Sequence, residues 1–252
     1  MIVEELIANA AALSSAKTVA DVRIGLGTTA VLLSDGACGL SYTMHPGTGA
    51  HCHVLDEAGS LSGREAKVAA TWAMAADPVL SSVGIAVLNA LFAPVVTGFS
   101  KENAMDAVDI RPGDTLGMVG HFAPFISRHG HRIDRLFVFD RDAAGRDVYP
   151  DWAEDIYLPQ CDVVIVTGTT LINKTIDHVL SLCTSAREIA LMGASTCLCP
   201  DVFRAHGVSL IAGTRVTDSN IALGIVSEGG GTPALRGCTE HLCIRLKNQG
   251  RC

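Results

Sequence analysis

Three segments of the chain share one pattern: an apolar run, a tight loop of glycine and small polar residues, and a helix start. They are TLGMVGHFAPF from Thr115, CDVVIVTGTTLINKT from Cys161 and EIALMGASTCLCP from Glu188. Buried apolar strands that alternate with helices are typical of a parallel sheet with right-handed crossovers. The loops after such strands meet at one edge of the sheet, where ligands bind. The pattern therefore predicts where a site lies.

Composition narrows the class of protein. The 252 residues suffice for one large domain or two ordinary ones, and the formal net charge of −7 argues against a nucleic-acid or anionic-membrane partner. No secretion signal opens the sequence and no apolar run reaches the length of a membrane span, which predicts a cytoplasmic protein. The nine cysteines then predict reduced thiols, with Cys38, Cys161 and Cys183 filling the core. A homodimer is an expectation from general precedent.

The order of the segments predicts two domains. Residues 1–92 are expected to form a small α+β domain, residues 93–114 a linker, and residues 115–252 an α/β domain with a parallel sheet. In the first domain, Asp77 and Pro78 predict the start of a helix whose Asn89 lies close to the buried stripe. A buried amide needs partners, so Asn89 is either a structural brace or a pocket wall. Residues 45–60 predict a long loop.

The loop after the first of the three strands lacks the dinucleotide-binding pattern. Only Gly117 and Gly120 are present, which disfavours an ordinary NAD site. Asp140, however, ends the next strand 20 residues after Gly120, where an acidic residue binds a ribose hydroxyl in nucleotide-binding sheets. The alternative for Asp140 is a helix cap or a surface charge. His121 lies in the loop and could act as a ligand or as a general acid or base.

The loop after the second strand offers hydroxyl and N–H groups at a helix start, from Thr167, Gly168, Thr169 and Thr170. Unpaired N–H groups and the helix dipole both favour negative charge, so this loop predicts an anion contact. Asn173 or Lys174, one turn further, could reach the same crevice. The alternative is that a threonine simply caps the helix.

The third loop repeats the pattern with Gly193, Ser195 and Thr196, and Cys197 and Cys199 follow. In an extended chain these two thiols would face one side and could bind a soft metal ion. The alternative is that both thiols pack beneath the loop, because a cysteine pair lacks a full ligand set. Weaker metal signals, without the paired spacing of metal sites, come from His51, Cys52 and His53, and from Cys238, His241, Cys243 and Cys252.

Five segments together resemble the bacterial and archaeal "putative heavy-metal chelation" proteins over nearly the whole chain: VGIAVLNAL, PGDTLGMVGHFAP, VVIVTGTTLINKT, MGASTCLCP and LIAGTRVTD. The resemblance implies an enolase N-terminal-like domain followed by a Rossmann-like domain, with a site between them. It also implies heavy-metal handling, or the making or cleaving of pterin-, flavin- or siderophore-like chelators.

The pattern of that family carries over to fourteen residues of this chain, and the resemblance does not rest on the paired cysteines or the His-Cys-His triplet. These residues are Asn89, Gly120, Phe122, Pro124, Thr167, Gly168, Thr169, Asn173, Gly193, Ser195, Thr196, Pro200, Gly213 and Asp218.

The leading hypothesis is a protein that binds a small anionic or metal-chelating molecule in the crevice between the domains, with condensation or hydrolysis as candidate reactions. The threonine and serine loops would hold an anionic group, Asp140 a hydroxyl group, and His121 would transfer a proton or bind the ligand. The implied cofactor is a heavy-metal ion or a small chelator. One alternative is a methyltransferase-like enzyme with a nucleoside cofactor. The other is a non-enzymatic protein that sequesters metal through thiols and imidazoles.

Overall fold

The computed structural model describes residues 1–45, 55–141, 145 and 147–246. The first domain is a small α+β unit built around an antiparallel sheet in the order β1-β2-β3. Its elements in chain order are α1 (Ile2–Ala10), β1 (Val19–Ile24), β2 (Thr28–Leu33), β3 (Cys38–Tyr42), α2 (Ala66–Thr71) and α3 (Pro78–Phe92).

Helix α3 is the central element of the first domain. The Asp77 carboxylate accepts a hydrogen bond from the Leu80 N–H at 2.7 Å, and Pro78 occupies the first turn, so the predicted helix start is confirmed. Every residue from Val79 to Phe92 is buried because the helix lies between the small sheet and the second domain. At Gly39 the helix backbone approaches β3 so closely that a Cβ atom would collide with the Ala86 carbonyl oxygen.

The second domain contains a seven-stranded sheet flanked by helices. Its elements are α4 (Ala104–Ala107), β4 (Asp114–Val119), α5 (Ala123–His129), β5 (Ile133–Phe139), β6 (Val148–Tyr149), α6 (Glu154–Tyr157), β7 (Val163–Thr167), α7 (Thr169–Ile172), α8 (Ile176–Leu182), β8 (Glu188–Met192), α9 (Pro200–Ala205), β9 (Leu210–Val216), α10 (Ser219–Ser227), α11 (Thr232–Leu235) and β10 (Thr239–Arg245).

The strands of this sheet lie in the order β10-β9-β8-β7-β4-β5-β6. Strands β4 to β9 are parallel to their neighbours, and β10 pairs antiparallel with β9. Taken from β6 to β9, this is the strand order of doubly wound sheets. In such sheets the strand order reverses between the first and fourth strands, which here are β4 and β7. The predicted fold class is therefore confirmed: a small α+β domain joined to a parallel-sheet α/β domain.

The two domains share their cores. One face of the small sheet packs on α3 through Val31 and Leu33, whereas the other face packs on α10 through Ala30 and Leu40. Successive side chains of a strand point to opposite faces, so both faces of the small sheet are buried. Helix α10 comes from the second domain, which makes the first domain incomplete without it. No helix among the described residues is long and apolar enough to cross a membrane.

Candidate functional site

A cavity of about 430 Å³ opens at the carboxyl ends of β4, β5 and β7, beside the point between β4 and β7 where the strand order reverses. This is the position at which ligands bind to doubly wound sheets. Both domains contribute to its wall, the first domain through the end of β3. The lining residues are Tyr42, Met44, Val119, Gly120, His121, Phe122, Phe139, Asp140, Arg141, Asp151, Glu154, Thr167, Thr169, Thr170, Asn173 and Thr175.

The loop after β4 is held by its own N–H groups. Gly120 has a φ of +87°, and its N–H donates to the Phe139 carbonyl at 2.8 Å. The His121 N–H donates to Asp140 Oδ2 at 2.9 Å, and the Phe122 N–H donates to the sulfur of Met118. Because all three N–H groups are used within the protein, this loop does not present them to a phosphate. The geometry agrees with the broken glycine pattern of the sequence.

The loop after β7 also differs from an anion-binding loop. The Gly168 N–H donates to the Met192 carbonyl, and Thr169 donates to Thr167 Oγ1 through both its N–H and its hydroxyl. The Thr170 hydroxyl donates to the Thr167 carbonyl at 2.7 Å. Helix α7 has only four residues, so few aligned peptide dipoles point at the cavity. The hydroxyl groups line the cavity as expected, but the N–H groups of Gly168 and Thr169, on which the predicted anion contact partly depended, are already bonded within the protein.

The charges around the cavity are mostly negative. Asp140, Asp151 and Glu154 line it, whereas Arg141 is the one lysine or arginine in the described lining. Arg141 forms an ion pair with Asp151 at 2.8 Å, which neutralises both groups. The described lining therefore has three carboxyl groups and one guanidinium group. A positively charged ligand therefore suits this cavity better than the anionic one expected from the sequence.

Glu154, which the sequence did not single out, is the most unusual of these groups. It lies in the first turn of α6, is only 8% exposed, and makes no hydrogen bond to any described residue. Burial, followed by the charge of Asp151, raises the pKa of Glu154 to about 7. A carboxyl group that titrates near neutral pH inside a cavity can take up or release a proton under ordinary conditions.

The third loop joins the two domains and does not line this cavity. The Ser195 hydroxyl accepts a hydrogen bond from the Tyr42 N–H at 2.8 Å, and Asn89 donates to the carbonyls of Leu40 and Ala194. The first domain therefore occupies the space over this loop that a ligand was expected to fill. The alternative in which Asn89 is a structural brace is the one that the structure adopts.

Two further residues of the predicted site pack tightly behind the same loop. A Cβ atom on Gly168 would lie 2.6 Å from the Thr196 backbone nitrogen. Gly193 has a φ of +120°, and its N–H donates to the Ala212 carbonyl. Both glycines therefore serve the packing of the second and third loops, and Gly168, Gly193 and Thr196 are not among the residues that line this cavity.

The turn after α7 separates Asn173 from Lys174. Asn173 lines the cavity, and its Oδ1 accepts from the N–H and the hydroxyl of Thr175. Lys174 has a φ of +63° and points away, with its ammonium group donating to the Ala75 carbonyl, the Ile172 carbonyl and Ser81. Burial lowers the pKa of Lys174 to about 8. The lysine ties this wall of the cavity to the first domain.

Other residues of the family pattern have structural roles. The Asp218 carboxylate caps α10 by accepting from the Ile221 N–H at 3.0 Å. Pro124 and Pro200 stand in the first turns of α5 and α9, where proline is favoured. A Cβ atom on Gly213 would lie 2.8 Å from a methyl group of Leu198. These positions shape the loops without facing the cavity.

The cysteines are buried among apolar side chains. Cys197 is fully buried and Cys199 nearly so, and burial raises the pKa of both thiols, which disfavours the thiolate that binds metal. This arrangement fits the packing alternative. Within the described ranges no three His, Cys, Asp or Glu residues are grouped so that they could hold a metal ion. His51, Cys52, His53 and Cys252 lie outside the described residues, as does most of the 45–60 loop.

Eight predicted site residues thus meet around the cavity: Gly120, His121, Phe122, Asp140, Thr167, Thr169, Thr170 and Asn173. Sequence reasoning missed the other eight lining residues, which are Tyr42, Met44, Val119, Phe139, Arg141, Asp151, Glu154 and Thr175. Tyr42 ends β3 and Met44 follows it, and this position at the end of a strand is the signal that could have found them. The stretch that contains Asp151 and Glu154 has no strand or glycine pattern, so no local signal marks it.

The fold and the cavity define a two-domain α/β protein with a ligand-sized cavity at the switch point of its parallel sheet. Residues 4–92 match the DUF4213 family model and residues 103–242 match the DUF364 family model, both described as "Putative heavy-metal chelation". The chain belongs to this family, which confirms the resemblance seen in the sequence.

Solved structures and a curated relative agree with this assignment. A protein of unknown function from Pyrococcus horikoshii is 20% identical, covers 98% of this chain and 100% of its own, and has a TM-score of 0.85. A protein of unknown function from Desulfitobacterium hafniense is 24% identical over 96% of this chain and 99% of its own, with a TM-score of 0.78. At these identities the likeness shows the fold. An uncharacterized protein of Methanocaldococcus jannaschii is 26% identical over 179 residues, 68% of each chain.

Proposed function

We propose that this protein binds a small, hydroxyl-bearing molecule that carries positive charge, either a metal ion in its own chelator or an amine, in the cavity between β4, β5 and β7. The observation that carries the proposal is the lining of this cavity, where the carboxyl groups of Asp140, Asp151 and Glu154 outnumber the one guanidinium group, Arg141, which is paired with Asp151. The threonine hydroxyls of the β7 loop supply neutral hydrogen-bonding groups beside them. This function fits a family described by heavy-metal chelation.

The chemistry of the lining favours a metal that arrives with its own ligands. The described residues include no group of three metal-binding side chains, so the protein would recognise the outside of a complex. Carboxylates and hydroxyls can accept hydrogen bonds from the ammine, amide or hydroxyl groups of such a complex. Condensation or hydrolysis of the chelator would place His121 and Glu154 as the groups that transfer protons.

The experiment is a calorimetric titration with hexaamminecobalt(III), a cationic complex that keeps its own ligands. We expect the wild type to bind one equivalent in the cavity. Asp140→Asn keeps an oxygen for the His121 N–H but removes the charge, so we expect roughly tenfold weaker binding from the loss of one charge-assisted contact.

The matched control is Asp201→Asn, because Asp201 is 85% exposed on α9 and lies outside the cavity lining. Its dissociation constant should equal that of the wild type. Equal affinity of the wild type and Asp140→Asn would mean that the complex binds elsewhere, which would contradict the proposal.

A nucleoside cofactor is the second candidate, favoured by the place of Asp140. This residue follows β5, the second strand of the doubly wound order, where an acidic residue binds ribose hydroxyls. S-adenosylmethionine combines a ribose with a positive sulfonium group and so suits the same carboxyl groups. Equilibrium dialysis should then show binding to the wild type and its loss in Asp140→Ala. Unchanged binding in that variant would exclude this candidate.

A further inference from the structure

The α6 side of the cavity contains a buried carboxyl group, that of Glu154. Glu154 is nine-tenths buried, lines the cavity, and has no hydrogen-bond partner among the described residues. A buried carboxylate without a partner is unfavourable, whereas the protonated acid loses much less on burial. Burial therefore favours the protonated form of this group.

The charges around Glu154 come from every element packed against it. Asp151 precedes α6 and Asp155 follows within it, and both disfavour a second negative charge. His178 on α8 and Arg141 after β5 favour that charge, but each is already engaged, His178 with Asp155 at 3.2 Å and Arg141 with Asp151 at 2.8 Å.

On the cavity side, His121 and Asp140 line the same space. Asp140 is tied to the first loop through the His121 N–H. Neither neighbour supplies a fixed positive charge, so a cation that enters the cavity would be the first free partner that Glu154 meets.

We propose that Glu154 couples the binding of a cationic ligand in this cavity to the release of one proton, an inference that rests on the proposed function. The ligand and the proton compete for the same carboxylate. Binding breaks the O–H bond of the neutral acid, the proton passes to solvent, and the carboxylate that remains pairs with the cation. The affinity for the cation then rises with pH, and the protein releases the ligand at acidic pH.

The test is calorimetry with hexaamminecobalt(III) in buffers of different ionisation enthalpy, which counts the protons released. With the pKa of Glu154 at about 7, the wild type should release close to one proton at about pH 6, and its affinity should rise roughly tenfold between about pH 6 and about pH 8. Glu154→Gln has the shape of the protonated acid, so it keeps the fold. It should release no proton and bind with an affinity that does not change with pH.

Two further variants separate the sources of a proton. His121→Asn should still release it, because the proposal assigns the proton to Glu154 and not to the imidazole that faces the same cavity. Glu228→Gln, at an exposed position outside the cavity, should behave as the wild type.

The outcomes distinguish the two proposals. If the complex binds to the cavity and Glu154→Gln releases as many protons as the wild type, the coupling is refuted while the proposed function stands. If the complex does not bind, or if Asp140→Asn binds it as the wild type does, both proposals are overturned.

Discussion

At the scale of single residues, burial sets the chemistry of Glu154. Its carboxyl group is held in the cavity wall by the short helix α6, beside Asp151 and away from free cations. The pKa is raised because the charged form loses its hydration without gaining a partner. Burial of this carboxyl group therefore lowers the stability of the protein and also lets the group transfer a proton near neutral pH. This combination is common at functional sites.

This cost predicts how stability depends on pH. A raised pKa means that the folded protein binds more protons than the unfolded chain between about pH 4.5 and about pH 7, so the free energy of unfolding falls as pH rises through this window. Glu154→Gln removes this contribution. Relative to the wild type, the variant should gain on the order of 2 kcal/mol between about pH 4.5 and about pH 8.

Urea denaturation of both proteins at the two pH values measures this difference. Glu228→Gln, an exposed Glu-to-Gln change, serves as the control and should show no such gain. A difference between Glu154→Gln and the wild type that stays constant with pH would show that Glu154 is charged at neutral pH.

At the scale of secondary-structure elements, the packing of α3 on the small sheet depends on its close approach to β3. Gly39 leaves no room for a side chain between the strand and the Ala86 carbonyl. Gly39→Ala should force the helix away from the sheet and lower the free energy of unfolding by about 2 kcal/mol or more. Gly27→Ala, in the neighbouring hairpin, meets no atom within 4 Å and should change stability by less than about 0.5 kcal/mol.

Chemical denaturation midpoints of the two glycine variants test this comparison. Equal midpoints would mean that α3 does not lie against β3 as described. The pair also shows why a sequence pattern can place a helix but not its distance from a strand, because that distance depends on which residues meet across the interface.

The sequence predicted the strand ends well and the walls of the cavity only in part. Gly120, Asp140 and Thr167 follow apolar runs, and the rule for parallel sheets brings the ends of such runs together. Ser195 follows the same pattern but bonds to Tyr42, because the first domain packs over its loop. Glu154 had no local signal at all. Local patterns determine strands and turns, whereas burial of a charged residue depends on contacts between distant segments.

At the scale of the whole molecule, the two domains should unfold together. Helix α10 of the second domain covers one face of the small sheet, and α3 contributes to a core that includes residues of both domains. Asn89 and Ser195 add hydrogen bonds across the interface. Separate unfolding of either domain would expose a large apolar surface to water, which is strongly unfavourable.

A denaturant titration followed by two probes tests this cooperativity. In Trp152→Phe, the remaining Trp72 reports on the first domain, in which it is partly buried, while far-ultraviolet circular dichroism reports on all helices and strands. We expect coincident midpoints for the two signals. An earlier loss of Trp72 fluorescence would show that the first domain unfolds independently.

The cavity beside β4 and β7 is proposed to bind a positively charged small molecule. Crystals soaked with hexaamminecobalt(III) and measured at the cobalt absorption edge test it most directly, because the anomalous signal locates the metal. We expect a peak within the cavity, with ammine groups close to the carboxyl groups of Asp140 and Glu154. Cobalt bound only at exposed carboxylates such as Asp201, with none in the cavity, would contradict it.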